Sequence, residues 1–265
     1  MAGLLNYSAH VAPVSTADLT MVVPTYNEAD RLGELVRALF EAARERDMAL
    51  ELIVVDDNSP DGTGAIADEL ARSHSMRVVH RAGKLGLGTA VVEGFAVASA
   101  EIVGVMDADF SHPPALVPRM LAAFRATNAD LLVASRYVPG GSTPGWPVRR
   151  RLLSRAACLL ARPLSPIRDA ASGFFLIRRS IARDVTIQAG GFKICLELLV
   201  RGRPVRLVEV PYQFDDREAG ESKMSTREAS GYLVQLKDLY RVRWSGPRPA
   251  RQFQRLTAAE LNRLS

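Results

Sequence analysis

Ile102-Val103-Gly104-Val105-Met106-Asp107-Ala108-Asp109 decides how this chain folds. The apolar run reads as a buried parallel strand, and two carboxylates follow it at once. The same pattern occurs twice earlier. Residues 19–23 lead into Pro24-Thr25-Tyr26-Asn27-Glu28, and residues 52–55 into Asp56-Asp57-Asn58-Ser59-Pro60-Asp61-Gly62-Thr63. Acidic groups therefore collect at the carboxyl ends of neighbouring strands, where open α/β sheets bind ligands. A pair of carboxylates two residues apart on a loop suits a divalent cation held against a diphosphate.

Between these strands the apolar spacing changes to three and four. Residues 27–46 read as a helix with Leu32, Leu35, Val36, Leu39 and Phe40 on one face and Asn27 and Asp30 as capping residues. Asp61 and Gly62 read as turn formers before a helix over 63–72. A strand over 76–79, a helix from Gly86-Leu87-Gly88 to 98, a helix over 116–124 and a strand over 130–135 follow. This alternation predicts an α/β fold, a mostly parallel Rossmann-like sheet flanked by helices. Beyond a Gly/Pro-rich loop at 139–147 come a basic amphipathic helix over 149–162 and a strand-like stretch ending at Arg178. A helix over 192–200 and a strand over 205–210 are next. A Ser225-x-x-Glu228 capping box then opens a helix with Ala229, Tyr232, Leu233, Leu236, Leu239 and Tyr240 on one face. We expect a loose arm over 1–18, one domain over 19–244, and a polar Arg-rich tail over 245–265.

Composition narrows the function. The net charge is +5, carried by 30 Arg and 4 Lys, which fits nucleic acid, an anionic membrane face or a phosphorylated substrate. No aromatic platforms interleave with the basic stretches, and no helix-turn-helix or zinc signature appears, so nucleic acid is set aside. No run reaches the ~18 apolar residues that span a bilayer, and no secretory leader is expected. Cys158 and Cys195 lack a Cys or His partner at metal-ligand spacing and read as buried free thiols of a reducing compartment.

Six ordered segments carry a resemblance: residues 24–28, 54–63, 106–114, Ser135-Arg136-Tyr137-Val138-Pro139-Gly140-Gly141, Ser172-Gly173-Phe174-Phe175, and residues 217–224. Spread over residues 19–244, they resemble the family 2 glycosyltransferases of the GT-A fold. Within these the chain is most similar to dolichol- or polyprenol-phosphate mannose synthases. The resemblance implies an inverting enzyme that moves mannose from GDP-mannose to a polyprenyl monophosphate, with Mg²⁺ or Mn²⁺ as cofactor. It implies Asp109 as a direct metal ligand and Asp107 against nucleotide, metal or both. Many relatives carry Gln two positions after the second Asp. Here Ser111 stands there, shorter, so a water can fill the gap and metal preference stays open. The resemblance places Pro24, Tyr26, Glu28, Val55, Asp57, Asp107, Ala108 and Asp109 around the nucleotide sugar. Arg136, Arg217 and Lys223 are placed at the donor diphosphate and acceptor phosphate.

Arg150 and Ser154, one helical turn apart, suit a lipid phosphate; Arg149, Arg151 and Arg155 read as surface. Lys84, with Gly86 and Gly88, resembles a phosphate loop and is open between nucleotide and solvent. A phosphate monoester is mostly dianionic at pH 7 and already a nucleophile. The site needs positioning and charge neutralisation more than a general base, so His112 reads as structural.

Residues 149–162 hold five Arg and no acid, with Leu152, Leu153, Ala156, Leu159 and Leu160 as an apolar stripe. That composition suits a helix lying in a headgroup layer, or one packed on its own domain. A second amphipathic helix behind Ser225 is the other interface candidate. The expected location is the cytoplasmic face of a membrane, held peripherally, with room for a separate membrane-anchoring partner. Two alternatives remain: transfer of glucose or another hexose from a UDP-sugar, and a non-catalytic nucleotide-sugar or lipid-phosphate binding module.

Overall fold

The computed structural model describes residues 17–183, 185, 187, 193–215, 226–246 and 250–264, the side chains of 226–229 excepted. Arg217, Lys223, Phe192, the capping box at Ser225 and nearly all of the expected arm lie outside the described residues.

The elements run β1 (Leu19–Thr25), α1 (Ala29–Arg44), β2 (Leu50–Asp56), α2 (Thr63–Ala71), β3 (Met76–His80), α3 (Leu87–Val97) and β4 (Ile102–Val105). After a 3₁₀ turn at Pro114–Leu116 come α4 (Val117–Ala126), β5 (Leu131–Ser135), α5 (Val148–Ala161), β6 (Phe175–Arg178), α6 (Arg179–Arg183) and α7 (Ile194–Arg201). β7 (Arg206–Pro211), α8 (Thr226–Ser245), β8 (Gln252–Arg255) and α9 (Ala258–Arg263) complete the chain. The strands form one eight-stranded sheet in the order β3-β2-β1-β4-β6-β5-β7-β8. Every pairing is parallel except those of β6, which runs antiparallel to both β4 and β5.

Successive side chains of a strand point to opposite faces, and both faces here are buried. Met21 and Val23 join Leu32, Leu35, Val36 and Leu39 of α1 and Met120 and Phe124 of α4. Val22 joins Val91 and Phe95 of α3 and, farther along, Leu196 and Leu199 of α7. The switch point of the sheet lies between β1 and β4, so the loops after these strands frame a crevice.

Two local expectations are corrected. Asn27 does not cap α1: its φ is +60°, its N–H donates to Ser59 Oγ at 3.0 Å, and Glu28 takes the cap position. The cap comes from another loop, because Ala29 N–H donates to Asp61 Oδ2 at 3.1 Å. Asp61 Oδ1 also accepts from Thr63 N–H at 3.0 Å, and Gly62 takes φ +91°, so this segment is the turn expected. The polar stretch expected as a tail beyond the domain likewise joins it through its described residues. β8 pairs with β7, and Thr257 and Glu260 form a reciprocal capping box for α9. Arg251 donates to Leu164 O at 2.8 Å and to Leu199 O; burial first, and the charge of Arg243 second, lower its pKa to about 10.

Candidate active site

The Asp107-Ala108-Asp109 loop leaves β4 at the switch point and is held from three directions. Asp107 N–H donates to His112 Nδ1 at 2.9 Å. Ser111 N–H donates to Asp109 Oδ1 at 3.0 Å. From α1, Arg31 Nη1 donates to the Asp109 carbonyl at 3.1 Å, a contact between residues too far apart in sequence for local reading to find. Between Asp109 and Ser111, Phe110 takes φ +63°, a left-handed conformation that these bonds maintain. His112 is buried, stacked on Phe174 at 4.8 Å and flanked edge-on by Tyr212 and Phe214. Burial pushes its pKa down, against the pull of Asp107 and then Asp109. It is a packed, neutral ring that places a backbone, as the structural reading expected.

The donor set fits a hard divalent cation. Asp107 and Asp109 supply carboxylate oxygens at one loop, and Ser111 Oγ is buried with no hydrogen-bond partner among the described residues. An orphaned buried hydroxyl in the same loop as two carboxylates is a position for an ion or its bound water. Among the described residues no group of three His, Cys, Asp or Glu side chains is placed to hold an ion unaided. A ligand diphosphate would have to complete the coordination.

Tyr26 and Glu28 follow β1 and are partly buried. Their turn leans toward the loop after β2, where Glu28 N–H donates to Thr63 Oγ1 at 2.9 Å. Pro24 and Val55 are register partners within β1 and β2, and Val55 is fully buried. Asp57 is turned inward: it pairs with the buried Arg81 guanidinium and accepts from Gly86 N–H at 3.1 Å. Its carboxylate organises the loop after β3. Lys84, on that loop, stands 3.8 Å over the Tyr26 ring.

Arg136 is similarly committed. Its Nε and Nη2 donate to the two Asp169 oxygens, each at 2.7 Å, and its N–H donates to Asp169 at 3.0 Å. Burial alone would lower its pKa, but the Asp169 carboxylate prevails and holds it well above the ordinary value. Asp169 in turn accepts from Cys158 Sγ at 3.6 Å, and burial pushes that thiol up to about 12. The Arg136 guanidinium lies 5.3 Å from the Trp146 ring centroid, and Arg150 covers the same ring at 4.0 Å. Ser154 Oγ accepts from Tyr137 Oη at 2.7 Å. Arg136, Arg150 and Ser154 are thus brought together around Trp146 and Tyr137. Lys193, ahead of α7, is a cation that sequence reading missed. Burial first, then the charge of Arg136, lower its pKa, while Asp169 and Asp107 pull the other way. No motif surrounds it, and only the fold brings it near these groups.

A family model described as glycosyl transferase family 2 matches residues 20–186. The chain belongs to that family. It is 37% identical to the dolichol-phosphate mannosyltransferase of Pyrococcus furiosus over 86% of its own length, and it spans 64% of that relative's length. It is 38% identical to the protein of the same name from Saccharomyces cerevisiae, over 84% of this chain and 87% of the relative. The polyprenol monophosphomannose synthase of Mycolicibacterium smegmatis is 40% identical, over 77% of this chain and 80% of the relative. Among solved structures, glucosyl-3-phosphoglycerate synthase from Mycobacterium tuberculosis, crystallised with Mn²⁺, UDP-glucose and phosphoglyceric acid, superposes with a TM-score of 0.62. Identity there is 22%, over 88% of this chain and 81% of that one. Mannosyl-3-phosphoglycerate synthase from Rubrobacter xylanophilus gives 0.59 at 19% identity, over 86% and 74%. These two carry the fold alone, and it is the GT-A architecture that the motifs imply.

Proposed function

We propose that the protein is an inverting glycosyltransferase that moves mannose from GDP-mannose to a polyprenyl monophosphate. The observation that carries the reading is the set of relatives, 37% to 40% identical, named dolichol-phosphate or polyprenol mannosyltransferases. The placement of Asp107, Asp109 and Ser111 Oγ, which has no partner among the described residues, at the switch point supports it. An oxygen of the acceptor phosphate forms the new bond to the sugar's anomeric carbon. The bond from that carbon to the diphosphate breaks, and the α-linked donor gives a β-linked lipid. The nucleophile is a dianion, so no proton needs to be removed, and the neutral buried His112 is free for its placing role.

When bound, Mg²⁺ or Mn²⁺ supplies charge neutralisation on the leaving diphosphate; Asp107, Asp109 and Ser111 are the residues that would hold it. Arg150 and Ser154 are assigned to the acceptor phosphate. Arg136 contributes as the rigid centre of that cluster, its fork already on Asp169. Arg217 and Lys223 remain assigned to the phosphates.

The protein meets its lipid through α5. No helix among the described residues is long and apolar enough to cross a membrane. Leu152, Leu153, Leu159 and Leu160 of α5 are 61%, 44%, 69% and 50% exposed, so the stripe does not pack on its own domain. Arg149, Arg155 and Arg162 are exposed beside it. Burying such leucines gains about 1.5 kcal/mol each at the low end, and each basic residue near an anionic surface about 1 kcal/mol. α8 braces this face: Tyr232 Oη and Tyr240 Oη donate to Ala157 O and Leu160 O of α5, while Leu233 and Trp244 stay exposed. Peripheral attachment on the cytoplasmic face agrees with two buried free thiols.

The test is a transfer assay with radiolabelled GDP-mannose and UDP-glucose side by side, each with polyprenyl phosphate and Mg²⁺ or Mn²⁺. Label entering the lipid phase from GDP-mannose is expected. Label from UDP-glucose alone favours the glucosyl alternative. Consumption of neither overturns the enzyme reading.

A further inference from the structure

Glu209 interrupts an apolar strand, the Arg206-Leu207-Val208-Glu209-Val210-Pro211 of β7, and it is fully buried. A carboxylate taken out of water is costly, and a well-packed apolar residue at such a position is often as stable or more so. Burial pushes the Glu209 pKa up, against the Ser135 hydroxyl first and then the Asp169 amide and Arg255. What this side chain holds explains its place. Its Oε1 accepts from two successive amides, Arg168 N–H at 2.8 Å and Asp169 N–H at 3.1 Å. Its Oε2 lies 3.5 Å from Nε of Arg255, the register partner of Glu209 on β8. One carboxylate therefore joins the last strand of the sheet to the loop before β6.

Asp169 carries the connection onward. Its amide is fixed by Glu209, and its carboxylate takes the Arg136 fork through Nε and Nη2, each at 2.7 Å. The Arg136 amide donates to the same carboxylate at 3.0 Å. Asp169 does not use Nη1, which is left to meet a ligand oxygen. A planar fork held at two points follows its carboxylate, so a shift of the Asp169 backbone moves the guanidinium with it. Glu209 and Asp169 are fully buried and the Arg136 side chain nearly so, while Arg255 is partly exposed. A buried network whose members satisfy one another rigidifies what it holds.

Resting on the acceptor assignment above, we propose that Glu209 is a positioning residue for the acceptor phosphate: through Asp169 it aims the Arg136 guanidinium, and Arg255 of β8 balances its charge. The C-terminal strand thereby contributes to a site formed beyond the end of β5.

The test uses the full chain, a short-chain polyprenyl phosphate in detergent, and the variants Glu209→Gln, Glu209→Leu and Arg255→Met. Glu209→Gln keeps an oxygen for both amides and loses only the pairing with Arg255. Its KM for the acceptor should stay within about threefold of wild type. Glu209→Leu removes the oxygen and should raise that KM about tenfold or more, with a smaller fall in kcat. The dissociation constant of GDP with Mn²⁺ should not change. Arg255→Met should raise the acceptor KM about threefold, again without effect on GDP. Trp146, one of two tryptophans, reports the Arg136 guanidinium 5.3 Å from its ring. In a Trp244→Phe background its emission should shift in Glu209→Leu and match wild type in Glu209→Gln. A merely structural role would lower the melting temperature and leave the acceptor KM unchanged. That result, or equal losses of GDP and acceptor binding, overturns the proposal. If Glu209→Leu does not fold, Arg255→Met decides by the same two constants. If wild type transfers no sugar, the proposed function fails, and the Trp146 emission still decides whether Glu209 holds Arg136.

Discussion

The backbone N–H of Asp107 donates to Nδ1 of the buried His112 at 2.9 Å. Accepting there leaves the imidazole proton on Nε2, and the stack on Phe174 fixes the ring. The imidazole thus sets where the acidic loop begins. His112→Asn presents an amide oxygen near the Nδ1 position and should retain Mn²⁺ affinity in the presence of GDP. His112→Leu keeps the volume without the acceptor and should weaken Mn²⁺ about tenfold, the usual effect of losing an outer-shell partner. Equal affinities for both variants, measured by Mn²⁺ titration, would deny His112 this role.

Arg136 and Asp169 form a buried two-pronged pair, with Asp169 fully buried. Removing one partner strands the other charge. Asp169→Ala should lower unfolding free energy by about 3 kcal/mol or more in urea denaturation. Arg136→Lys should not substitute, because an ammonium cannot span both carboxylate oxygens.

Asp130 ties three strands: it accepts from Val205 N–H at 3.0 Å and Arg206 N–H at 2.9 Å, and pairs with the Arg178 and Arg206 side chains. Burial would raise its pKa, but the Arg206 amide and guanidinium, with the Val205 amide, bring it below the ordinary aspartate value of 3.8. A lowered folded pKa gives stability that is present above the unfolded value and lost as pH falls through the folded one. Asp130→Asn should therefore be less stable than wild type at pH 7, by about 2 kcal/mol. The gap should close as pH drops below 3.8. A gap that stays constant from neutral to acid pH would contradict this.

Replacing Leu152 and Leu159 together with Gln should leave thermal stability unchanged, since both side chains are more than half exposed. Co-sedimentation with anionic vesicles should fall by about tenfold or more for the lost apolar burial. High salt should weaken the wild type too, through the arginines. A variant that unfolds at lower temperature would place this stripe inside the domain.

Much of this architecture was legible because β-branched runs such as residues 52–55 and 102–106 have no other stable place than a buried strand. Carboxylates directly after such runs announced the crevice. The direction of β6 was not legible: a short apolar run reads alike parallel and antiparallel. β8, Gln-Phe-Gln-Arg, has exposed side chains and so lacked the alternating pattern that marks a half-buried strand. Arg136 and Asp57 were legible as motif residues but not as members of ion pairs. Their partners, Asp169 and Arg81, lie 33 and 24 positions away and are met only in the fold. Leu233 kept the spacing of the buried Tyr232, Leu236 and Leu239 yet faces outward, while Gln235 is buried, donating to Glu197 Oε1 at 2.9 Å.

The proposed transfer requires a cation held between the Asp-Ala-Asp loop and a nucleoside diphosphate. Electron paramagnetic resonance of Mn²⁺ with GDP, on wild type and Asp109→Asn, measures this directly. A ternary site that needs GDP and loses about 100-fold or more in affinity in the variant is predicted, with transfer activity falling in parallel. Equal Mn²⁺ binding by both proteins, or tight Mn²⁺ binding that ignores GDP, would contradict it.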